Sequence, residues 1–539
     1  MGRVWIKLPI NGVGSAPSLF AGNDARKALP KSASGRSPRA RLQSGLKKAT
    51  TLVIALFLLL SALSFTPAVA LAEDEEEIIL RVCSWEEYID EGGWDEDEVI
   101  DLESGDIIGV NHMLDDFEAW YYENYGRRVR VEYSTFGTNE DLYNMLTLGD
   151  VYDLVCPSEY LIMKLMAEKR LYPLSEDFFD ESNELNYYIN GVSPYIREMF
   201  ETHTIDGETW DRYAAGFMWG VTGFVYNPEY VSREEAATWH LMENTDYARR
   251  VTVKDNVRDT YFAAVGAIKS DLLLSDAFRS DPEYPTRLLE EMNDTSDEMI
   301  AQVQEYLQTN KDNFYSFETD SGKADMITGK VVANLQWSGD AVFTMDQADE
   351  DDVALEFAAP IESTDVYFDG WVMLNCGVEG HPEKQQAAEA FINFLSRPDN
   401  AIRNMYYIGY TSVIAAPDDG RVFEYLDWNY GAEEDEEDTV EYSVAHFFAG
   451  EDDDPADFVL TVPRSQLYRQ LGAQYPSEEV LDRACIMVYF NPEVSVATNK
   501  MWTNVRCYNI KNVPVWGWIA AGVVLAGLVY VSLRRRKKL

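Results

Sequence analysis

The sequence predicts an α/β fold built on a doubly wound parallel lobe, and three observations support this prediction. Strand-like and helix-like stretches alternate between Glu77 and Cys156, which is the order expected when helices cover both faces of a parallel sheet. A loop with polar and aromatic residues follows each predicted strand. The chain of 539 residues is also long enough for two or more lobes with sizeable cores.

The elements of the first lobe follow in order. The sequence predicts strands over 77–83, 129–133 and 153–156. Apolar residues at helical spacing predict a helix over 113–125, between the first two strands. Thr138 is placed to cap a second helix, which precedes the third strand. Two strands and two helices alternating before a third strand make a parallel sheet the simplest arrangement.

Beyond the first lobe the pattern changes. The β-rich stretch from Tyr213 to Tyr226 is predicted to cross between lobes, and the strand 251–253 leads into a helix over 260–268. The acidic stretch 90–106 is expected to be a loop insertion. Within the acidic region 432–454, the runs 432–438 and 451–454 are expected to be solvated insertions, because runs of like charge favour solvent.

Both ends of the chain carry signals for membrane processing. Residues 1–72 combine a basic region, an apolar run and a small-residue cleavage site, which predicts a signal peptide. The uncharged run from Pro514 to Leu533, followed by five basic residues, predicts a C-terminal transmembrane helix. We therefore expect a protein of the cell membrane whose body lies on the extracytoplasmic face, held by a single C-terminal span.

Composition excludes several functions. The chain has 93 acidic and 45 basic residues and a net charge of −48, so it repels nucleic acid and attracts cations. For most of the individual acids, surface solvation explains the charge better than a cationic partner does. Nucleotide-binding, protease and hydrolase motifs are absent, and the five cysteines have no metal-ligand spacing. We expect neither an enzyme nor a cofactor.

One local pattern occurs twice between Leu335 and Trp371. Gln336–Asp340 and Tyr367–Gly370 each place aromatic residues near an aspartate that has a glycine beside it. An aromatic face attracts a cation and a carboxylate neutralises it, so each pair can hold an ammonium group. Two pairs fit a ligand with two amines. The alternative is that the aromatic residues belong to the core and the aspartates to turns or helix caps.

Further motifs extend this pattern along the chain. In order they are Ser-Trp-x-x-Tyr from Ser84, Pro-Ser-x-Tyr from Pro157, Val-Arg-Asp-x-Tyr-Phe from Val257, Trp-Ser-Gly-Asp from Trp337, Tyr-Phe-Asp-Gly-Trp from Tyr367, Phe-Ile-Asn-Phe-Leu-Ser-Arg-Pro from Phe391 with Ile-Gly-Tyr beyond it, and Tyr475-Pro476. Together they resemble the extracytoplasmic spermidine/putrescine-binding proteins of ABC transporters, from about Leu80 to Val505. No single motif is specific, but their common order is.

The resemblance implies a two-lobed flytrap of the type II periplasmic-binding-protein kind that closes on a polyamine. It implies a permease and a separate ATPase as partners, and a ligand-binding cleft formed by Trp85, Glu87, Tyr88, Ser158, Tyr160, Asp259, Trp337, Asp340, Tyr367, Asp369 and Tyr410. We then expect lobe 1 at 73–216 and 369–416, lobe 2 at 217–368 and 417–512, the transmembrane helix at 513–533, and a cytoplasmic basic tail at 534–539.

The sequence also departs from the resemblance. A carboxylate of the related proteins is replaced by Asn256, and Asp340 matches the putrescine-preferring members better than the spermidine-preferring ones. The two acidic insertions have no counterpart in those proteins. A sensor that transports nothing, or a flytrap for another small cation, therefore remains an alternative.

Overall fold

The computed structural model describes residues 77–95, 98–433 and 435–507. Its largest sheet has the strand order β2-β1-β3-β12-β7-β10-β8-β9, with β4, β11, β13 and β16 at its sides. The strands are β1 Ile78–Trp85, β2 Val129–Phe136, β3 Leu154–Val155, β4 Leu171–Tyr172, β5 Thr204–Ile205, β6 Glu208–Thr209, β7 Ala214–Tyr226, β8 Val251–Lys254, β9 Phe314–Glu318, β10 Ala333–Trp337, β11 Glu356–Ala358, β12 Thr364–Leu374, β13 Thr411–Ser412, β14 Thr439–Ser443, β15 Val459–Pro463 and β16 Ala484–Cys485.

Helices surround this sheet. The α-helices of seven or more residues are Met113–Tyr125, Asn139–Leu148, Glu159–Ala167, Pro194–Thr202, Val257–Ile268, Tyr284–Met292, Asp297–Asn310, Ser338–Glu350, Pro382–Leu395, Pro398–Ile408, Arg421–Tyr430 and Pro492–Arg506. Shorter α-helices are Tyr187–Gly191, Arg233–Ala236, Ser270–Leu273, Asp276–Arg279, Gly322–Ile327, Asn375–Val378, Ala445–Phe448, Gln470–Gln474 and Glu478–Leu481, and the 3-10 helices are Glu176–Phe179, Trp239–Glu243, Thr245–Tyr247, Pro455–Phe458 and Arg464–Tyr468.

The first lobe has the predicted order of elements. Strand β1 pairs in parallel with β2 on one side and with β3 on the other. The intervening helices begin and end on recognisable caps. The side chain of Thr138 accepts a hydrogen bond from the backbone N–H of Asp141, as its sequence position predicts. Gly126 ends the preceding helix with a φ of 71°, a conformation that favours glycine.

Two long strands join the lobes. All residues of β7 and β12 are buried, and the two strands pair antiparallel from Val366 opposite Val221 to Val372 opposite Ala214. The carboxyl half of β12 pairs with β3 in the first lobe, whereas the carboxyl half of β7 pairs with β10 in the second. A register shift interrupts β12 between Asp369 and Gly370. Asp369 therefore lies on a strand shared by the two lobes, directly at this irregularity.

Two hydrophobic cores correspond to this division. One core contains β1, β3 and the helices packed on them, together with most of the crossing strands. The other contains Trp239, Tyr261 and Phe262 with the buried residues of β8 and β10. The two-lobed α/β fold expected from the sequence is confirmed.

The first acidic stretch is packed against the protein rather than solvated along its length. Trp94, Ile100, Leu102 and Ile107 are buried. The segment also begins with Asp90, a carboxylate with no exposed side-chain surface. Apolar residues placed between the charges thus anchor this segment to the first lobe.

The predicted fold class needs one correction, which concerns the membrane-spanning helix. Within residues 77–95, 98–433 and 435–507, the structure contains no helix with both the length and the apolar character that crossing a bilayer requires. The helix predicted over 513–533 lies outside those residues. The fold class is therefore restated as a two-lobed α/β fold, and the C-terminal span is removed from it.

Candidate functional site

The structure brings most of the predicted site residues to one place. Trp85 ends β1, Ser158 follows β3, and Trp337 ends β10. Tyr367 and Asp369 lie on the crossing strand β12. Because the carboxyl ends of parallel strands share one edge of a sheet, loops far apart in sequence meet there.

Asp369 is the most specifically placed acid in this cluster. Its side chain accepts a hydrogen bond of 2.5 Å from the hydroxyl of Tyr88 and one of 2.7 Å from the hydroxyl of Ser158. Asn139 in turn holds Ser158, donating from Nδ2 at 3.0 Å and accepting from its backbone N–H at 3.1 Å. Burial raises the pKa of Asp369 to about 6, although the two hydroxyl donors lower it. No lysine or arginine of the described chain forms an ion pair with this carboxylate.

Aromatic rings surround the acids. The rings of Tyr88 and Tyr410 lie 4.8 Å apart at 78°, and Tyr367 is 6.4 Å from Tyr410. Trp85 lies 6.2 Å from Trp337. Such rings pack against methylene chains and present electron-rich faces to cations. Both properties match a ligand with an apolar chain and charged ends.

Gly339 allows one of these rings to approach the backbone. A methyl group at this position would lie 2.2 Å from Cγ of Tyr410, so any larger residue would displace the ring. The hydroxyl of Tyr410 donates to Oδ1 of Asp340 at 3.1 Å. The glycine beside this aspartate therefore lets the Tyr410 ring approach the backbone closely.

Asp340 has protein cations on both sides. Nζ of Lys323 lies 3.2 Å from its Oδ1, and Nζ of Lys254 lies 3.5 Å from its Oδ2. The same Lys254 ammonium sits 3.8 Å from the centroid of the Trp337 ring. Burial raises the pKa of Asp340, but the two lysines outweigh it and the net shift is downward. The aromatic and acidic pair predicted here thus holds an ammonium group of the protein itself.

Two further acids lie near the site, Asp259 from the second lobe and Glu140 from the first. Asp259 accepts a hydrogen bond of 2.9 Å from the indole N–H of Trp337, and burial raises its pKa. Glu140 accepts a hydrogen bond of 3.5 Å from the hydroxyl of Tyr160, and burial raises the pKa of Glu140 to about 7. Asn256, which stands where the resemblance led us to expect a carboxylate, caps the helix Val257–Ile268 by accepting from the backbone N–H of Arg258 at 2.7 Å.

The structure does not bring Glu87 into this cluster. Its side chain is exposed on the turn after β1, with a φ of 52°. No hydrogen bond or ion pair among the described residues joins it to the other predicted site residues. The turn instead directs the next residue, Tyr88, toward Asp369.

Sequence reasoning missed four polar residues of the site, namely Asn139, Glu140, Lys254 and Lys323. Asn139 and Glu140 directly follow the helix cap Thr138, so they stand at the start of a helix after β2. Lys254 ends a strand whose four residues are all buried. A charged residue at the end of a buried strand is the signal that could have identified Lys254, because strand ends point toward the binding edge.

Comparison with known proteins shows which family the chain belongs to. Residues 112–422 match the family model described as bacterial extracellular solute-binding protein. The chain belongs to this family. Its members bind solutes for transport, so the expectation that the protein is not an enzyme is confirmed, as is the resemblance to polyamine-binding proteins.

Individual relatives support the same grouping. The chain is 25% identical over 285 residues to the spermidine/putrescine-binding periplasmic protein of Salmonella typhimurium, a match that covers 52% of this chain and 70% of the relative. It is 21% identical over 285 residues to the putrescine-binding periplasmic protein SpuD of Pseudomonas aeruginosa, covering 50% and 68%. A solved structure, a putative spermidine/putrescine ABC transporter protein from Listeria monocytogenes, shares the fold with a TM-score of 0.53 at 18% identity, covering 80% of this chain and 99% of that one.

These comparisons also correct the predicted location. The sequence placed the protein in the cell membrane through a single C-terminal span. The relatives carry the name of periplasmic proteins, and no helix of the described residues is able to span a bilayer. The membrane-anchored location is therefore withdrawn.

Proposed function

We propose that this protein captures a polyamine, putrescine or spermidine, between its lobes and delivers it to an ABC permease served by a separate ATPase. The observation that carries the proposal is Asp369, a buried carboxylate that has two hydroxyl donors and aromatic neighbours and forms no ion pair with a lysine or arginine among the described residues. A buried carboxylate is costly unless a cation compensates it. An ammonium group of the ligand provides that compensation, and the names of the relatives support a polyamine as its source.

We propose that ten of the eleven predicted site residues contact the ligand or lie next to it. They are Trp85, Tyr88, Ser158, Tyr160, Asp259, Trp337, Asp340, Tyr367, Asp369 and Tyr410. Glu87 is left out because of its exposed position. The predicted lobe boundaries at 216/217 and 368/369 fall within β7 and β12, so we propose that these two strands form the hinge on which the lobes close.

A panel of ligands in a thermal-shift assay tests this function. We expect putrescine or spermidine to raise the melting temperature, because a ligand that binds only the folded state stabilises it by about 2.7 kcal/mol at 100 times its Kd. Glycine, maltose and Ca²⁺ serve as controls and should leave the melting temperature unchanged. A shift with maltose or glycine, combined with none for any polyamine, would refute the proposal.

Affinity for putrescine is expected to rise with pH between 5 and 8. The pKa of Asp369 is about 6 and that of Glu140 about 7, so acidification protonates both acids while the amine stays charged. Binding an ammonium group favours the carboxylate form and must release protons. We expect at least about tenfold weaker binding at pH 5 than at pH 8, since one pH unit below a pKa leaves roughly a tenth of an acid ionised.

Calorimetry measures this effect directly. Titrations near pH 6.5 in two buffers with different ionisation enthalpies should show net proton release on binding. Equal affinities at pH 5 and pH 8, with no proton release, would contradict the assignment of these acids to the ligand.

A further inference from the structure

The ammonium of Lys254 lies between Trp337 and Asp340, where the sequence analysis predicted an ammonium group of the ligand. Lys254 is the last residue of β8, and its side chain is only 1% exposed. Nζ lies 3.8 Å from the centroid of the Trp337 ring and 3.5 Å from Oδ2 of Asp340, and it donates a hydrogen bond of 3.2 Å to the carbonyl oxygen of Thr319. An aromatic face and a carboxylate around one ammonium are the two features expected of an amine-binding position.

The charge of Asp340 is compensated within the protein. Lys323 approaches its other oxygen at 3.2 Å, and the hydroxyl of Tyr410 donates to that same oxygen at 3.1 Å. A further ammonium from a ligand would meet two lysines at this point. Like charges brought together in a buried site repel strongly, because little solvent screens them.

The other acids of the site lack such partners. Asp369, Asp259 and Glu140 accept hydrogen bonds from neutral groups. Within the described part of the chain, no lysine or arginine nitrogen lies within ion-pair distance of any of the three. Of these four acids, the three without an ion pair are therefore Asp369, Asp259 and Glu140, and only Asp340 is paired with two lysines; the charges of Lys254 and Arg258 also lower the pKa of Asp259, against the larger effect of burial.

We propose that Lys254 is a specificity-determining residue, whose ammonium fills the position between Trp337 and Asp340 and thereby directs the ligand's own ammonium groups to Asp369, Asp259 and Glu140. This inference rests on the proposed function. Its consequence is that the position between Trp337 and Asp340 holds no ammonium group of the ligand, whose charged ends must instead lie at Asp369, Asp259 and Glu140. A diamine is then preferred over a triamine that must place its additional charge near Lys254.

Lys254→Met tests this role, because methionine keeps most of the length and apolar stem of lysine and removes its charge. Asp340 retains Lys323 and Tyr410 in the variant. Calorimetry should be used to measure the Kd values of putrescine and spermidine for both proteins. We expect the ratio of the two affinities to shift by at least about tenfold toward spermidine, the size of effect that one buried charge pair readily produces.

Lys269→Met is the matched control. Lys269 is also largely buried and ion-paired, at 2.7 Å from Glu291 and 2.9 Å from Asp294, but it has no contact with the site. This variant should leave the affinity ratio unchanged. Lys254→Gln provides a second test in case the methionine variant does not fold, because the amide can still donate to the carbonyl of Thr319.

The relative affinity of wild-type protein for putrescine and spermidine also tests the proposal, without any variant. We expect spermidine to bind more weakly than putrescine, and spermidine binding that is tighter by tenfold or more would overturn the proposal. An unchanged ratio in a folded Lys254→Met or Lys254→Gln protein would overturn it too, while leaving the polyamine function in place. If folded wild-type protein binds neither amine, the proposed function itself is wrong.

Discussion

Asp369→Asn is expected to remove most of the affinity for polyamines while leaving the ligand-free protein at least as stable as the wild type. The substitution takes away the carboxylate that faces the ligand's ammonium but keeps its shape. Losing one partner of a buried charge pair costs roughly 2–5 kcal/mol, which corresponds to about 30-fold to several thousand-fold in Kd.

The expected gain in stability of the Asp369→Asn variant depends on pH, because the pKa of Asp369 differs between the folded and unfolded states. Burial raises the pKa of Asp369 from 3.8 to about 6 in the folded protein, so the folded state binds more protons than the unfolded state between these values. Stability therefore falls as pH rises through this window, by about 3 kcal/mol in total at 1.36 kcal/mol per pKa unit. Asparagine carries no charge and escapes that loss, so the stability difference should appear at pH 8 and vanish at pH 4.

Asp153→Asn is the control for this prediction. Asp153 is as deeply buried as Asp369 but has its own cation, with Nζ of Lys384 at 2.8 Å. We expect this variant to lose stability and to keep its polyamine affinity, the reverse of the result for Asp369. Denaturant titration at pH 8 and calorimetry measure both quantities. Near-normal affinity in a folded Asp369→Asn protein would show that this acid is structural.

Arg403→Met is expected to cause the largest loss of stability. The side chain of Arg403 is 6% exposed, and its Nε donates to Oδ2 of Asp90 at 2.7 Å. It also contacts Asp116 at 2.9 Å and donates to the carbonyl oxygen of Asn111 at 2.9 Å. Without the arginine, Asp90 remains buried as an uncompensated charge, which costs about 3–5 kcal/mol.

Arg464→Met is the matched control, because Arg464 pairs with Asp438 at 2.9 Å on the surface. Exposed ion pairs contribute at most about 1 kcal/mol, so this variant should unfold at nearly the wild-type denaturant concentration. A double variant, Asp90→Asn with Arg403→Met, should recover part of the lost free energy of unfolding, since the uncompensated charge is gone. Equal small losses in the two arginine variants would refute the prediction.

The Arg403 contacts also connect the core to the site. Arg403 lies on the helix Pro398–Ile408, which leads through Gly409 to Tyr410, while its partner Asp90 follows closely after Tyr88. Tyr88 and Tyr410 are the two rings that lie 4.8 Å apart beside Asp369 and Asp340. Loss of the arginine should therefore weaken polyamine binding as well as folding.

The sequence by itself determined the local features of this protein. The alternation of strands and helices in the first lobe, the cap at Thr138 and the crossing strand that ends at Tyr226 follow from periodicity and cap chemistry, which act over a few residues. The resemblance of the ordered motifs to polyamine-binding proteins brought Trp85, Ser158 and Trp337 into one predicted site. The order of the motifs was enough to indicate the family.

Only the tertiary structure decided how the charges of the site are paired. Lys254 ends β8, whereas Trp337 ends β10 and Asp340 lies on the helix that follows it. The reach of Lys254 to both depends on the neighbouring positions of β8 and β10 in the sheet. Glu87 is exposed in a turn after β1 in which its own backbone adopts the left-handed conformation. Ion pairing and burial depend on distances in space, and these distances are set by packing between segments that are remote along the chain.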